Sequence, residues 1–182
     1  MQLIDAYFDV KKRLDSKDLF TGIWNLMDTS GSTPNSREGA AACIVGNNIY
    51  LYGGFSRDIF SDLRLLDQTE QKWKVIEPAQ LRQEKPSARF NHTMMNYNNR
   101  YLIMFGGAGT YLKSVKMRLC LNDLFFFDLH DCKWREIPEQ DLTPAKRMNH
   151  VADKIGCLMF IHGGSNNETR KILDDCSLFD IV

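Results

Sequence analysis

Three times in this chain an apolar, aromatic run stops on a pair of glycines: "YLYGG" at Tyr50–Gly54, "YLIMFGG" at Tyr101–Gly107 and "CLMFIHGG" at Cys157–Gly164. A unit that recurs at near-fixed spacing constrains a fold more than any single motif, because each copy must stack on its neighbours to bury its apolar face. The glycine pairs are therefore the anchor from which the rest of the sequence is aligned.

Upstream, Arg37, Arg89 and Arg147 precede the first glycine of each pair by 16, 17 and 16 residues. Each arginine follows a proline by three residues ("PNSR", "PSAR", "PAKR"), and three residues later stand Ala40, His92 and His150. Downstream, an aspartate pair brackets an apolar run: "DLRLLD" at Asp62–Asp67, "DLFFFD" at Asp123–Asp128 and "DCSLFD" at Asp175–Asp180. Six residues beyond the second aspartate come Trp73 and Trp134. The period is 52 residues from Arg37 to Arg89 and 58 from Arg89 to Arg147.

Each unit reads as four short strands. The first follows the Pro-x-x-Arg turn ("AAACIV", "TMMNY", "VADKI"), the second ends on the double glycine, the third lies between the aspartates, and the fourth carries the tryptophan. No apolar period of 3.6 residues intervenes, so crossover helices are not expected and the sheets should be antiparallel.

Gly53, Gly54, Gly106, Gly107, Gly163 and Gly164, with a bulky residue before each pair and Trp73 and Trp134 after it, resemble the Kelch repeat, a four-stranded unit of β-propellers. The resemblance implies an all-β fold of Kelch-type blades, about three to three and a half of them, in an incomplete propeller. It divides the chain into a partial blade at 1–30, blades at 31–80 and 81–140 (the latter with a long loop at 108–122), and a blade at 141–182 lacking its fourth strand. Trp24, in "GIWNLM", stands for the fourth strand of the partial blade, although Asp9 precedes it by 15 residues rather than six. The resemblance further implies a protein-interaction scaffold or adaptor rather than an enzyme. The alternative is the propeller of an enzyme or of a regulatory subunit acting on a small molecule or phosphoprotein. A deep polar pocket with ionisable groups converging from different blades would mark that alternative.

Repetition assigns structural work to most of the polar landmarks. Glycine accepts the positive φ of a sharp strand exit, and the tryptophans supply large area for packing sheet on sheet. Aspartates at strand ends suit backbone amides at turns. A recurring arginine suits a bidentate fork to carbonyls or carboxylates of the neighbouring blade. His92 and His150 share one repeat position in two blades, so they read as packing residues, and His162 replaces the aromatic that precedes the other glycine pairs.

Function classes can also be excluded. Lys plus Arg and Asp plus Glu number 23 each in 182 residues, so no net field favours nucleic acid or an acidic membrane. No stretch approaches the roughly 20 apolar residues of a membrane helix, and the first residues show no signal-peptide core. Five cysteines without a CxxC pair fit neither a disulfide framework nor a zinc site, and reduced, buried thiols in the cytosol or a compartment continuous with it are expected. No nucleophile elbow, phosphate loop or HExxH stands in the chain, so no catalytic residue, metal or cofactor is expected.

The breaks in the repeat are where partner binding is expected, on loops at one face of the blades. After the first glycine pair the loop is the short "FSRDIFS", with Arg57. After the second it is "AGTYLKSVKMRLCLN" at Ala108–Asn122, carrying Tyr111, Lys113, Lys116, Met117 and Arg118, a basic, apolar-studded insertion suited to an acidic protein partner. The third, "SNNETRKIL", carries Arg170. Three blades cannot close a propeller, which takes about four to eight. The ring is expected to be completed by the rest of a longer chain, by a second copy giving six blades, or by another protein on the open edges, since exposed strand edges invite pairing.

Overall fold

The computed structural model describes residues 24–79, 85–114 and 116–181. Within them the chain is all-β and carries no helix. Three sheets stack in sequence order as blades. Blade 1 contains β2 (Ala41–Val45), β3 (Asn48–Tyr52), β4 (Leu63–Asp67) and β5 (Lys72–Ile76); blade 2 contains β6 (Thr93–Tyr97), β7 (Tyr101–Leu112), β8 (Met117–Asp128) and β9 (Lys133–Ile137). Blade 3 contains β10 (Val151–Ile155), β11 (Leu158–His162) and β14 (Cys176–Asp180), with the small hairpin β12 (Ser165–Asn166) and β13 (Lys171–Ile172) between the last two. Neighbouring strands within each blade are antiparallel, with the strands in the order the repeat dictates.

At the N-terminal end of the described residues the strands depart from the sequence reading. A two-residue strand, β1 (Ser30–Gly31), adds to the outer edge of blade 1 in parallel with β5, so that sheet has five strands and is not purely antiparallel. Trp24 is not in a strand and is fully exposed, as is Leu26, because no described sheet lies beside it to pair with. The strand expected in "LIDAYFDV" lies outside the described residues.

Alternation with period two gives each blade two faces, and the cores are the two spaces between blades. Between blades 1 and 2, Ala41, Tyr52 and Leu63 pack on Leu102, Met104, Phe127 and Trp134. Between blades 2 and 3, Ile103, Phe105 and Leu124 pack on Met159, Ile161 and Ile181. Trp134 is buried, edge-on to Tyr52 at 5.4 Å, whereas Trp73 is half-buried, because its side of blade 1 faces no further blade among the described residues.

The arginines close each blade from within. Arg89 is fully buried, donating through Nη1 to the Gly106 carbonyl at 3.0 Å and forking onto Asp123 at 2.6 and 2.7 Å. Arg147 repeats this with Gly163 and Asp175, and Arg37 with Gly53 and Asp62. The fork was expected to cross to the neighbouring blade. It stays inside its own, joining the second strand to the third. What crosses is the arginine backbone: the Gly54 amide donates to the Arg89 carbonyl at 2.8 Å and the Gly107 amide to that of Arg147 at 2.9 Å. All six paired glycines have positive φ. At Gly53 and Gly106 a Cβ would also press on the carbonyls of Arg89 and Arg147, so the close approach itself requires glycine.

The second aspartates behave as turn caps, with Asp67 Oδ1 accepting from the amides of Thr69 and Glu70, and Asp128 Oδ1 from those of His130 and Asp131.

Candidate protein-interaction site

The segment 108–122, read from sequence as a loop, is the far half of a β-hairpin. β7 and β8 stay paired as far as Leu112 and Met117, with register shifts between Phe105 and Gly107 and between Ala108 and Tyr111. The glycine pair that ends the second strand in blades 1 and 3 here only bends it. The cause is polar–apolar alternation in "MRLCLND", which supplies a partner strand long enough to continue the ladder.

Arg118 anchors the hairpin one pair short of its turn, opposite Tyr111. Its guanidinium carbon lies 4.9 Å from the ring centre of Phe55, 5.7 Å from Phe90 and 5.8 Å from Tyr111, a cation ringed by aromatics from blades 1 and 2. Phe55 and Phe90 themselves meet at 5.4 Å. The Arg118 carbonyl accepts from Asn167 Nδ2 of blade 3 at 3.4 Å, and the Asn167 amide donates to Cys120 Sγ at 3.4 Å. One residue thus touches all three blades. Arg118 was expected to reach for a partner; it is half-buried and turned inward instead.

The other predicted contacts remain on the surface. Lys113 and Lys116 are exposed at the hairpin end, beside exposed Tyr111 and Leu112, and Met117 is half-buried at the start of β8. Arg57 is exposed on the blade 1 loop next to Phe55, and Arg170 is exposed in the β12–β13 turn, where it holds a φ of 56°. The glycine ends of the blades are bonded to one another, so these loops emerge on one face of the stack. Phe55, Phe90 and Asn167 were missed from sequence. Their signal was positional: Phe55 directly follows a glycine pair and Phe90 directly follows a repeat arginine.

The repeated histidines are buried between blades, beside the glycine pairs. His92 meets the Tyr52 ring edge-on at 5.7 Å and His150 meets Phe105 at 5.5 Å. Burial, aided by the charges of Arg89 and His150, lowers His92 to about 3; burial and Arg147 lower His150 to about 4. Both rings are therefore neutral packing groups at physiological pH. His162 is exposed beside Cys176, its Nδ1 3.2 Å from the Sγ. Cys120 is buried, but Cys157, in the β10–β11 turn, and Cys176, at the start of β14, are exposed, contrary to the expectation of buried thiols.

Residues 8–182 match the KLHDC2/KLHL20/DRC7 Kelch-repeats domain. The chain belongs to the Kelch-repeat family. It is similar to acyl-CoA-binding domain-containing protein 5 of Arabidopsis thaliana (30% identity, covering 84% of this chain and 22% of that protein) and to Kelch domain-containing protein 10 of Homo sapiens (30%, covering 80% and 33%). Kelch domain-containing protein 3 of Bos taurus is 27% identical over 91% of this chain and 44% of its own length. The chain thus spans less than half the length of these relatives. Kelch blades are a protein-interaction fold, and the arginine forks, glycine pairs and buried tryptophan described above are the parts that build it.

Proposed function

We propose that this Kelch chain is a non-catalytic interaction scaffold that binds an acidic protein partner through the β7–β8 hairpin and the loops beside it. The observation that carries this reading is the clasp of Arg118 on Phe55, Phe90 and Tyr111. It holds a protruding hairpin rigidly across blades while Lys113, Lys116, Tyr111 and Leu112 face solvent. A preformed surface with exposed cations and aromatic edges loses little entropy on binding. Binding rather than catalysis is supported by the fate of the repeated ionisable groups: the arginines and first aspartates are paired to one another, and the histidines are neutral and packed.

Lys113→Ala with Lys116→Ala tests the reading by affinity recovery from native extract. Recovery of a partner should fall, and fall further with salt in the parent protein, while the unfolding midpoint stays where it was. Unchanged recovery of every partner overturns it.

A further inference from the structure

Strand β7 is edged by β6 only as far as Phe105. Past the glycine pair, Phe90 takes over at a single residue. Its amide donates to the Ala108 carbonyl at 3.0 Å, and the Ala108 amide donates back at 2.8 Å. Gly109 is still buried, close to the Ala88 carbonyl. Thr110, Tyr111 and Leu112 are exposed, and among the described residues no strand lies beside them on that side. Blades 1 and 3 stand on either side of the hairpin, so this edge lies inside the stack rather than at its end.

The opposite edge of the hairpin is occupied. The Arg118 carbonyl accepts from Asn167 Nδ2 at 3.4 Å and the Leu121 carbonyl from the Arg147 amide at 3.0 Å, both from blade 3. Arg118 thus turns its carbonyl away from β7. Residues directly opposite in an antiparallel pair share one orientation, either bonded to each other or both facing outward. Tyr111 is opposite Arg118, so its amide and carbonyl point out of the hairpin toward the uncovered side. The register shift agrees with this: Ala108 to Tyr111 takes one more residue than Cys120 to Arg118, and that extra residue makes Tyr111, not Thr110, the next to face outward after Ala108.

The hairpin itself carries one sign of charge. No carboxylate occurs from Gly109 to Cys120, and the exposed Lys113 and Lys116 stand in the turn. On the blade 1 loop that runs past Phe55, Arg57 and Asp58 offset one another. Apolar surface is offered on the two faces of the edge by Tyr111, 47% exposed, and Leu112, 37% exposed.

We infer that the free edge of β7 at Tyr111 takes an extended acidic segment of the partner protein as an added strand, which rests on the hairpin site proposed above and adds how the partner is held. The segment exchanges a pair of backbone hydrogen bonds with Tyr111, as Phe90 does with Ala108. Its alternate side chains lie beside Tyr111 and Leu112, and its carboxylates meet Lys113 and Lys116. Backbone pairing supplies affinity that is blind to side chains, and the two ammonium groups select the sign of the segment.

The test uses the full chain, labelled for amide NMR, and a capped hexapeptide alternating valine and glutamate. Binding should shift the Tyr111 amide and slow its exchange with solvent. Methylating the backbone nitrogens of either the valines or the glutamates leaves charge and side chains alone. The peptide whose methyl groups face β7 should bind about tenfold more weakly, since it loses a backbone bond. If both methylated peptides bind like the parent, or Tyr111 exchanges as before with the peptide bound, the added strand is overturned while the acidic-partner reading stands. A parent peptide that does not bind overturns it as well. The acidic-partner reading fails separately, by unchanged recovery with Lys113→Ala and Lys116→Ala.

Discussion

Arg89 receives the Gly54 amide on its carbonyl at 2.8 Å and donates its own amide to Phe60 at 3.2 Å, while its side chain is spent entirely on its own blade. Arg147 is bound in the same way, to Gly107 and Leu121. One residue type therefore fastens each blade twice, through chemically separate parts.

Arg89→Met should cost about 3–5 kcal/mol, because it leaves the Asp123 carboxylate and the Gly106 carbonyl without their buried donor. Arg37→Met should cost clearly less. Asp62 keeps a second guanidinium, Arg64 at 2.5 Å, after Arg37 is gone. Urea denaturation of the two variants side by side measures the difference, and equal losses would count against the pairing argument.

His92 has no hydrogen-bond partner on either ring nitrogen, whereas His150 Nε2 meets Thr93 Oγ1 at 2.8 Å. The position matching Thr93 one blade earlier is Ala41. Ala41→Thr should therefore satisfy His92 and stabilise the protein by about 1 kcal/mol. A rise in the denaturation midpoint at an unchanged slope is the expected result. A fall would mean that the added methyl overpacks the seam beside Tyr52.

Acid should weaken the fold well above the carboxylate range. His92 and His150 are lowered to about 3 and about 4, chiefly by burial, so the folded state holds them neutral while the unfolded chain takes up protons near the ordinary value of 6.5. The unfolded state then binds more protons, and stability falls as pH drops below 6.5, by about 1–2 kcal/mol per histidine at pH 5. The carboxylates add their share lower down. Hydrogen bonds from Arg147 outweigh burial at Asp175, and burial at Asp62 is outweighed by the hydrogen bonds and charges of Arg37 and Arg64 together, so both are held below the usual carboxylate value and lose their contribution only in stronger acid. Denaturation midpoints at about pH 7, 6 and 5 check the slope, which His92→Phe should reduce.

Arg118→Ala should loosen the hairpin while sparing the blades. Removing a cation from three rings costs about 0.5–2 kcal/mol, but the pairs Tyr111–Arg118 and Leu112–Met117 lose their anchor to blade 1. Faster amide exchange confined to residues near 109–120, with the blade strands unchanged, is the expected signature. Uniform loss of protection would show the clasp to be part of the global core.

The blade plan was legible because its landmarks are obligatory: a backbone that turns at positive φ beside another carbonyl tolerates only glycine, and a buried arginine needs an aspartate at the start of the third strand, here 25, 34 or 28 residues on as the intervening loop varies. Direction was not legible. Spacing gives Arg89 and Asp123 the same interval whether the fork closes within one blade or bridges two, and only the three-dimensional course of the second and third strands decides it. The hairpin was read as a loop because Gly106 and Gly107 were taken as an end, when register shifts allow a strand to pass through such a pair. The parallel two-residue β1 left no pattern, since two residues cannot display a period. Phe55 and Phe90 were overlooked because single aromatics outside the repeat landmarks give no alignment signal.

The two-part use of Arg89 also says where this molecule can be cut. A truncation that keeps blade 2 but removes blade 1 takes away both backbone partners of Arg89 and opens a core holding Leu102, Met104, Phe127 and Trp134. The minimal autonomous piece is therefore a pair of blades with the seam between them, and fragments bounded at the edges of a single sequence repeat should neither fold nor report faithfully on what the intact chain binds.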